Sequence, residues 1–189
     1  MPFGKKEQEY LLALARKSVE AYLRTGKKLQ LEPKDVPSKK LTETGACFVS
    51  LHMGDQLRGC IGTLEANRPL VFDVLENALN AAFDDPRFYG LTIDELPKVR
   101  FSISVLSEPT PFEVKDAEDL LKNLTPHKHG LIIQKGLARA TFLPVVWEQI
   151  ELKEEFLAHL CMKAGLGPQE WRDTKRMQFF VYEAQEFSE

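Results

Sequence analysis

The clearest hydrophobic pattern lies near the start of the chain. Leu11, Leu12, Ala15, Val19, Tyr22 and Leu23 recur at helical spacing, with Lys and Glu opposite, and predict an amphipathic helix over Glu7 to Arg24. Gly26 is placed to end it. Lys27 to Lys40 contains Pro33 and Pro37 with little periodicity and reads as an extended connector. A second apolar stripe, Leu70, Val71, Val74, Leu75, Ala78 and Ala82, predicts a helix to about Phe83, with Pro69 as its first residue. Shorter helices are expected over Asp116 to Leu124 and Glu154 to Ala164, the latter capped by Gly165 with Phe156, Leu157 and Leu160 inward.

Between these stretches the period changes to two. Cys47 to His52 and Leu57 to Gly62 predict a hairpin around Met53-Gly54-Asp55-Gln56. A turn centred on Gly54-Asp55 sets Val49 opposite Cys60 and Leu51 opposite Arg58. Cys47, Val49, Leu51, Arg58 and Cys60 then share one face, and Phe48, Ser50, Leu57 and Ile61 the other. Val99 to Leu106 alternates as a half-buried strand. His129 to Gln134 and Leu137 to Phe142 form a second hairpin, and Gln178 to Phe187 a closing strand. Pro86 gives a rigid corner, Thr92-x-x-Glu95 has capping-box spacing, and Pro144 to Glu148 reads as a turn or short helix. Hairpins dominate and no regular βαβ alternation appears, so the expected class is α+β with mostly antiparallel sheets and packed helices. There is no G-x-G-x-x-G, which removes a Rossmann reading.

Composition narrows the class further. The 189 residues suit one domain, or one with a smaller lobe; they are 43% hydrophobic and 28% charged, within the globular range. A formal net charge of -3 gives no global attraction to nucleic acid or anionic membrane. No apolar run approaches the roughly 20 residues that span a bilayer, and Met1 to Glu9 lacks the apolar core of a signal peptide. Cys47, Cys60 and Cys161 are odd in number and form no C-x-x-C, so a disulfide scaffold or standard zinc site is not expected, and the expected compartment is the cytoplasm.

Chemistry concentrates in Leu57-Arg58-Gly59-Cys60-Ile61-Gly62, which sets a guanidinium, a thiol and two glycines in one strand. Cys60 is either a small buried hydrophobe or a thiolate held by the nearby arginine, which as a nucleophile would need a base such as His52 or His129. Arg58 either grips a carboxylate or phosphate, or pairs with Asp84 or Asp85. Asp84-Asp85-Pro86-Arg87 is either acid/base machinery or a structural clasp. His127 and His129 could share a strand face, but no further ligand spacing supports a metal, and none is expected. Cys47 and Cys161 lack polar company in sequence, and Trp147 and Trp171 read as core or groove-lining aromatics. Arg172, Lys175 and Arg176 read as solvated surface rather than a phosphate patch.

The Leu57 to Gly62 string, followed by Asp85-Pro86-Arg87-Phe88, Leu91-Thr92, Glu95-Leu96, Gly130-Leu131, Phe142-Leu143-Pro144-Val146 and Lys163-Ala164-Gly165, resembles the AMMECR-type domain family. The likeness runs from about Leu11 to Phe187, within a single domain taken as residues 7–189. It implies an α+β fold of two unequal lobes with a cleft lined by the signature strand, and an intracellular protein. It also implies association with a Memo-type or radical-SAM protein, while transferring no reaction and no cofactor. Two functions follow as expectations. The first is a non-catalytic module binding such a protein partner, with Arg58 and Arg87 as anchors. The second is a small enzyme in which Cys60 acts as nucleophile or redox thiol. There Arg58 binds a small anionic ligand, Asp85 and Arg87 complete the site, and Gly59, Gly62 and His129 line it. Nucleic-acid binding fits neither the charge nor any motif.

Overall fold

The computed structural model describes residues 2–189, with four α-helices and two antiparallel sheets. The chain divides into two units, one reaching to Leu106 and regaining Gln185–Glu189, the other running from Ser107 to Ala184.

In the first unit α1 spans Lys5–Thr25, longer at both ends than the apolar pattern requires. The Glu7 carboxylate accepts the Gly4 N–H at the start of the helix, and Gly26 closes its end in the left-handed region. Leu11, Leu12, Ala15 and Val19 are buried, as the stripe predicts. The connector holds two short 3-10 turns, Pro33–Asp35 and Lys39–Thr42. Strand β1, Thr44–Met53, and strand β2, Gln56–Gly62, form the first hairpin around Gly54, whose φ is 59°. The two-residue strand β3, Arg68–Pro69, leads into α2, Leu70–Phe83, so Pro69 stands one position earlier than expected, at the cap. Strand β4, Val99–Leu106, pairs with β1 on the side away from β2, and β9, Ala184–Ser188, follows β4 in the same sheet.

The second unit holds β5 (Thr110–Pro111), α3 (Ala117–Asn123), β6 (Gly130–Lys135), β7 (Ala138–Phe142), α4 (Lys153–Lys163) and β8 (Gln178–Tyr182). Its sheet runs β5-β8-β6-β7. Pro144–Glu148 is a 3-10 helix, and α4 is capped by Ala164, so Gly165 stands one position beyond the cap rather than forming it as expected. Phe156, Leu157 and Leu160 are buried with Trp147, Trp171 and Cys161, so both tryptophans are core residues. Trp147 stacks on Phe156 with ring centroids 3.7 Å apart. The closing strand expected over Gln178 to Phe187 is in fact two strands, β8 and β9, which break at Glu183 and belong to different sheets.

In the first unit, a buried carboxylate fastens α2 to β1. Asp73 is 1% exposed, and its Oδ2 accepts the Cys47 N–H at 3.0 Å, the Asn77 Nδ2–H at 3.0 Å and the Thr63 hydroxyl. Arg68 approaches Oδ1 at 3.3 Å. The Cys47 thiol lies 3.4 Å from the same carboxylate, so the expectation that Cys47 lacks polar company is wrong. Its partner comes from a helix 26 residues away, beyond any local pattern. Burial first, then the Asp73 charge, push this thiol well above its ordinary value, which makes it inert. Asp73→Ala would strand several buried donors at once, at a cost of about 3 kcal/mol. Urea unfolding of wild type and variant at neutral pH measures it, and a loss below about 1 kcal/mol would show that the cluster is not a fastener.

Candidate functional site

The Arg58 strand does not pair as simple alternation predicts. Met53 faces Gln56 and His52 faces Leu57, as a turn at Gly54-Asp55 requires, but the next pairs are Leu51 with Gly59, Ser50 with Cys60 and Val49 with Ile61. Arg58 is the extra residue of a β-bulge. This corrects the expected faces. Cys60 lies with Ser50 and Phe48, not with Cys47, Val49 and Leu51. The physical reason is burial: without the bulge, Arg58 would sit opposite Leu51, which is 0% exposed, and its charge would enter the apolar core. With the bulge, Gly59 turns inward instead.

Both glycines are explained by close approach. A Cβ on Gly59 would stand 2.0 Å from the Ala81 carbonyl oxygen, so only glycine lets the backbone of α2 pack on the strand. A Cβ on Gly62 would stand 2.3 Å from the Phe48 ring, which covers that position from β1. At both positions packing alone requires glycine: an α2 carbonyl and an aromatic ring take the space a Cβ would need.

Arg58 pairs with neither Asp84 nor Asp85. Its Nε and Nη2 donate to the two Glu95 oxygens at 2.9 and 3.2 Å, and Nη2 also approaches the Gly90 carbonyl at 3.4 Å. Glu95 Oε2 also accepts the Thr92 N–H at 2.8 Å, which is one half of the capping box read in the sequence, and the Thr92 hydroxyl at 3.0 Å, which turns to the same carboxylate instead of the Glu95 N–H. The Arg58 guanidinium is the first cause, and these bonds add to it, in holding the Glu95 carboxyl down at about 2. The fork that would grip an anionic ligand is thus already occupied by an internal carboxylate.

Asp85 is 4% exposed and serves the strand from the other side. Its Oδ2 accepts the Cys60 N–H at 2.9 Å, and Arg87 donates from Nε to Oδ1 at 2.9 Å and from Nη2 to Oδ2 at 2.7 Å. Arg87, first among these partners, holds the carboxyl well below the usual range, so Asp85 is a fixed anion rather than a proton carrier. Arg87 Nη2 also reaches the Cys60 carbonyl at 3.3 Å. Both guanidinium groups approach the Phe88 ring, with Arg58 6.0 Å and Arg87 5.5 Å from its centroid.

The Cys60 thiol is partly exposed and receives a hydrogen bond from the Ser50 hydroxyl at 3.0 Å. Burial raises it above the ordinary value. The Ser50 bond and Arg87 oppose that rise, while Asp85 and Glu186 add to it. The expected arginine-held thiolate is therefore not the resting form. The proposed bases do not join it. His52 lies on β1 opposite Leu57 with its Nδ1 unpartnered, and His129 makes its bonds within the second unit. No group of three or more His, Cys, Asp or Glu side chains arranged to hold a metal ion occurs among the described residues.

Sequence reasoning missed what these clasps hold. The chain from Asp84 to Glu95 is fixed by Asp85 to the Cys60 N–H, by Gly90 and Glu95 to Arg58, and by the Leu91 N–H to the Ala82 carbonyl at 2.8 Å. Leu91 is 4% exposed, yet Tyr89 is 94% exposed. Ile93 and Leu57 are also exposed. A tyrosine standing out of a fastened loop gives no periodic signal. Its only trace in the sequence is its place between the Asp-Pro-Arg-Phe corner and the capping box.

The AMMECR1 family model matches residues 12–187. The chain belongs to the AMMECR1 family. It is 37% identical to a protein of Methanopyrus kandleri, covering 97% of this chain and 89% of that one. It is also 37% identical to a protein of Methanothermobacter thermautotrophicus, covering 100% and 97%. Among solved structures, an uncharacterized protein of Pyrococcus horikoshii superposes with a TM-score of 0.90 at 34% identity, covering 99% of this chain and 93% of that one. The α+β class read from the sequence is the class of this AMMECR1 chain. No helix among the described residues is long and apolar enough to cross a membrane.

The state of the thiol can be measured without altering the protein. Site-resolved alkylation, read by mass spectrometry across pH, is expected to give Cys60 a midpoint above the roughly 8.5 of a free thiol. A midpoint well below that value would restore the thiolate.

Proposed function

We propose that this AMMECR1 chain is a non-catalytic protein-binding module that acts with a Memo-type or radical-SAM partner, and that it docks through the Phe88 to Ile93 loop. The observation that carries this reading is Tyr89, 94% exposed on a loop fastened by Arg58, Glu95, Asp85 and Cys60. A large aromatic side chain held out to solvent has an apolar body to bury and a hydroxyl to satisfy in a partner's pocket. A loop ordered in advance loses little entropy on docking. Arg58 and Arg87 act as supports of the loop, with their forks turned to Glu95 and Asp85, rather than as direct anchors. The enzymatic alternative has less support: burial raises the Cys60 thiol, its hydrogen bond is to the Ser50 hydroxyl rather than to a base, and the Nε–Nη2 edges of Arg58 and Arg87 are turned to Glu95 and Asp85.

The experiment is calorimetric titration of the purified chain with the Memo-type protein of the same genome, and separately with the radical-SAM protein. Binding to one of them, weakened at least about tenfold by Tyr89→Ala with the melting temperature unchanged, is expected. Equal affinity of wild type and variant, or no complex with either protein up to about 100 μM, would overturn the proposal.

A further inference from the structure

The turn before β6 is closed by a histidine that has to be unprotonated at one nitrogen. The His129 N–H donates to the Thr125 carbonyl at 3.0 Å, and in return the Thr125 N–H donates to His129 Nδ1 at 3.2 Å. A backbone N–H can only donate, so Nδ1 must present its lone pair; a proton there would set two donors against each other. Within this turn His127 has a φ of 61°, a left-handed conformation that a residue with a Cβ adopts at a cost. Closure of the turn thus holds a strained residue with the help of one hydrogen bond that protonation removes.

Its surroundings are defined. The His129 carbonyl accepts from Trp147 Nε1 at 2.8 Å, and its ring stands edge-on to Phe112 with centroids 5.9 Å apart. The charged groups facing it are Lys128 on the same turn and Glu183 beyond β8, which pair with each other at 3.3 Å. Burial is the largest influence and Lys128 the next, both lowering the imidazole below its ordinary value, while Glu183 opposes them.

We propose that the Thr125 to His129 turn is a pH-sensitive latch, closed while the His129 ring accepts the Thr125 N–H and released when that ring nitrogen gains a proton. Release frees the Thr125 amide and relieves His127. Phe112 also lines a groove of about 350 Å³ with Pro111, Val114, Met177 and Phe179, so one wall of that groove rests against the latch. The direction follows from the lowered histidine. Its contribution to stability is complete above the ordinary value near about 6.5 and is lost as the pH falls through the lower folded value. The latch lies within the second unit and does not depend on the docking role of Tyr89.

Nitrogen-15 NMR on the whole chain tests this by following His129 and the protection of the Thr125 amide from pH 8 to pH 5. His129 should titrate below about 6.5 with Nδ1 unprotonated at the upper end. Thr125 protection, corrected for intrinsic exchange, should fall roughly tenfold in step with it. His129→Asn supplies an acceptor that does not titrate and should flatten the profile. Thr125 protection that stays constant through the His129 titration, or an Asn variant as pH-dependent as wild type, would overturn the latch. If the Asn variant fails to fold, the wild-type profile alone decides.

Discussion

A one-residue shift in the pairing of β1 and β2 organises the first unit. By taking Arg58 out of the alternation, the bulge sends its guanidinium to Glu95, turns Gly59 toward the Ala81 carbonyl and brings Cys60 beside Ser50. Each consequence needs the residue type found there. A cation opposite Leu51 would be buried without water, and a side chain at position 59 would drive α2 off the sheet. The unusual composition of the strand is thus the chemistry of a junction, where a hairpin, a helix and a loop are joined.

The charged residues at this junction are paired internally. Arg58 holds Glu95, Arg87 holds Asp85, and Asp85 in turn holds the Cys60 N–H. Both carboxylates are kept anionic by their arginines, so neither offers a proton near neutral pH. Such pairs stabilise when geometry and desolvation are favourable, and here the Arg58–Glu95 pair is bidentate with side chains only 14% and 26% exposed. Two short stretches of the sequence, around Arg58 and around Asp85, thus fix one loop in one shape. The side chain that this fastened loop holds out to solvent is Tyr89.

Much of this fold was legible from periodicity. The stripes on α1 and α2, the alternation of β4 and the turn at Gly54 are local properties of the chain, and they fall where the sequence sets them. The sequence after Gln178 reads as one strand because nothing at Glu183 breaks its pattern, while the break comes from two sheets that each take one half. The bulge was illegible for a related reason: alternation alone cannot tell that Arg58 is the residue to be skipped, since that depends on α2 covering the opposite face. Partners followed the same rule. Glu95 was visible through its capping spacing with Thr92, but its link to Arg58 spans 37 residues, and the Asp73–Cys47 contact spans 26. Long-range pairing is chosen by the assembled fold.

The central claim is that Arg58 and Glu95 act as one clasp on the Asp84 to Glu95 loop. A double-mutant cycle of Arg58→Ala and Glu95→Ala, read by denaturant unfolding at neutral pH, measures it most directly. The account predicts a coupling energy of about 1–3 kcal/mol, with each single variant losing about as much stability as the double. A coupling indistinguishable from zero, with Arg58→Ala as stable as wild type, would contradict it and return Arg58 to the role of a free ligand-binding cation.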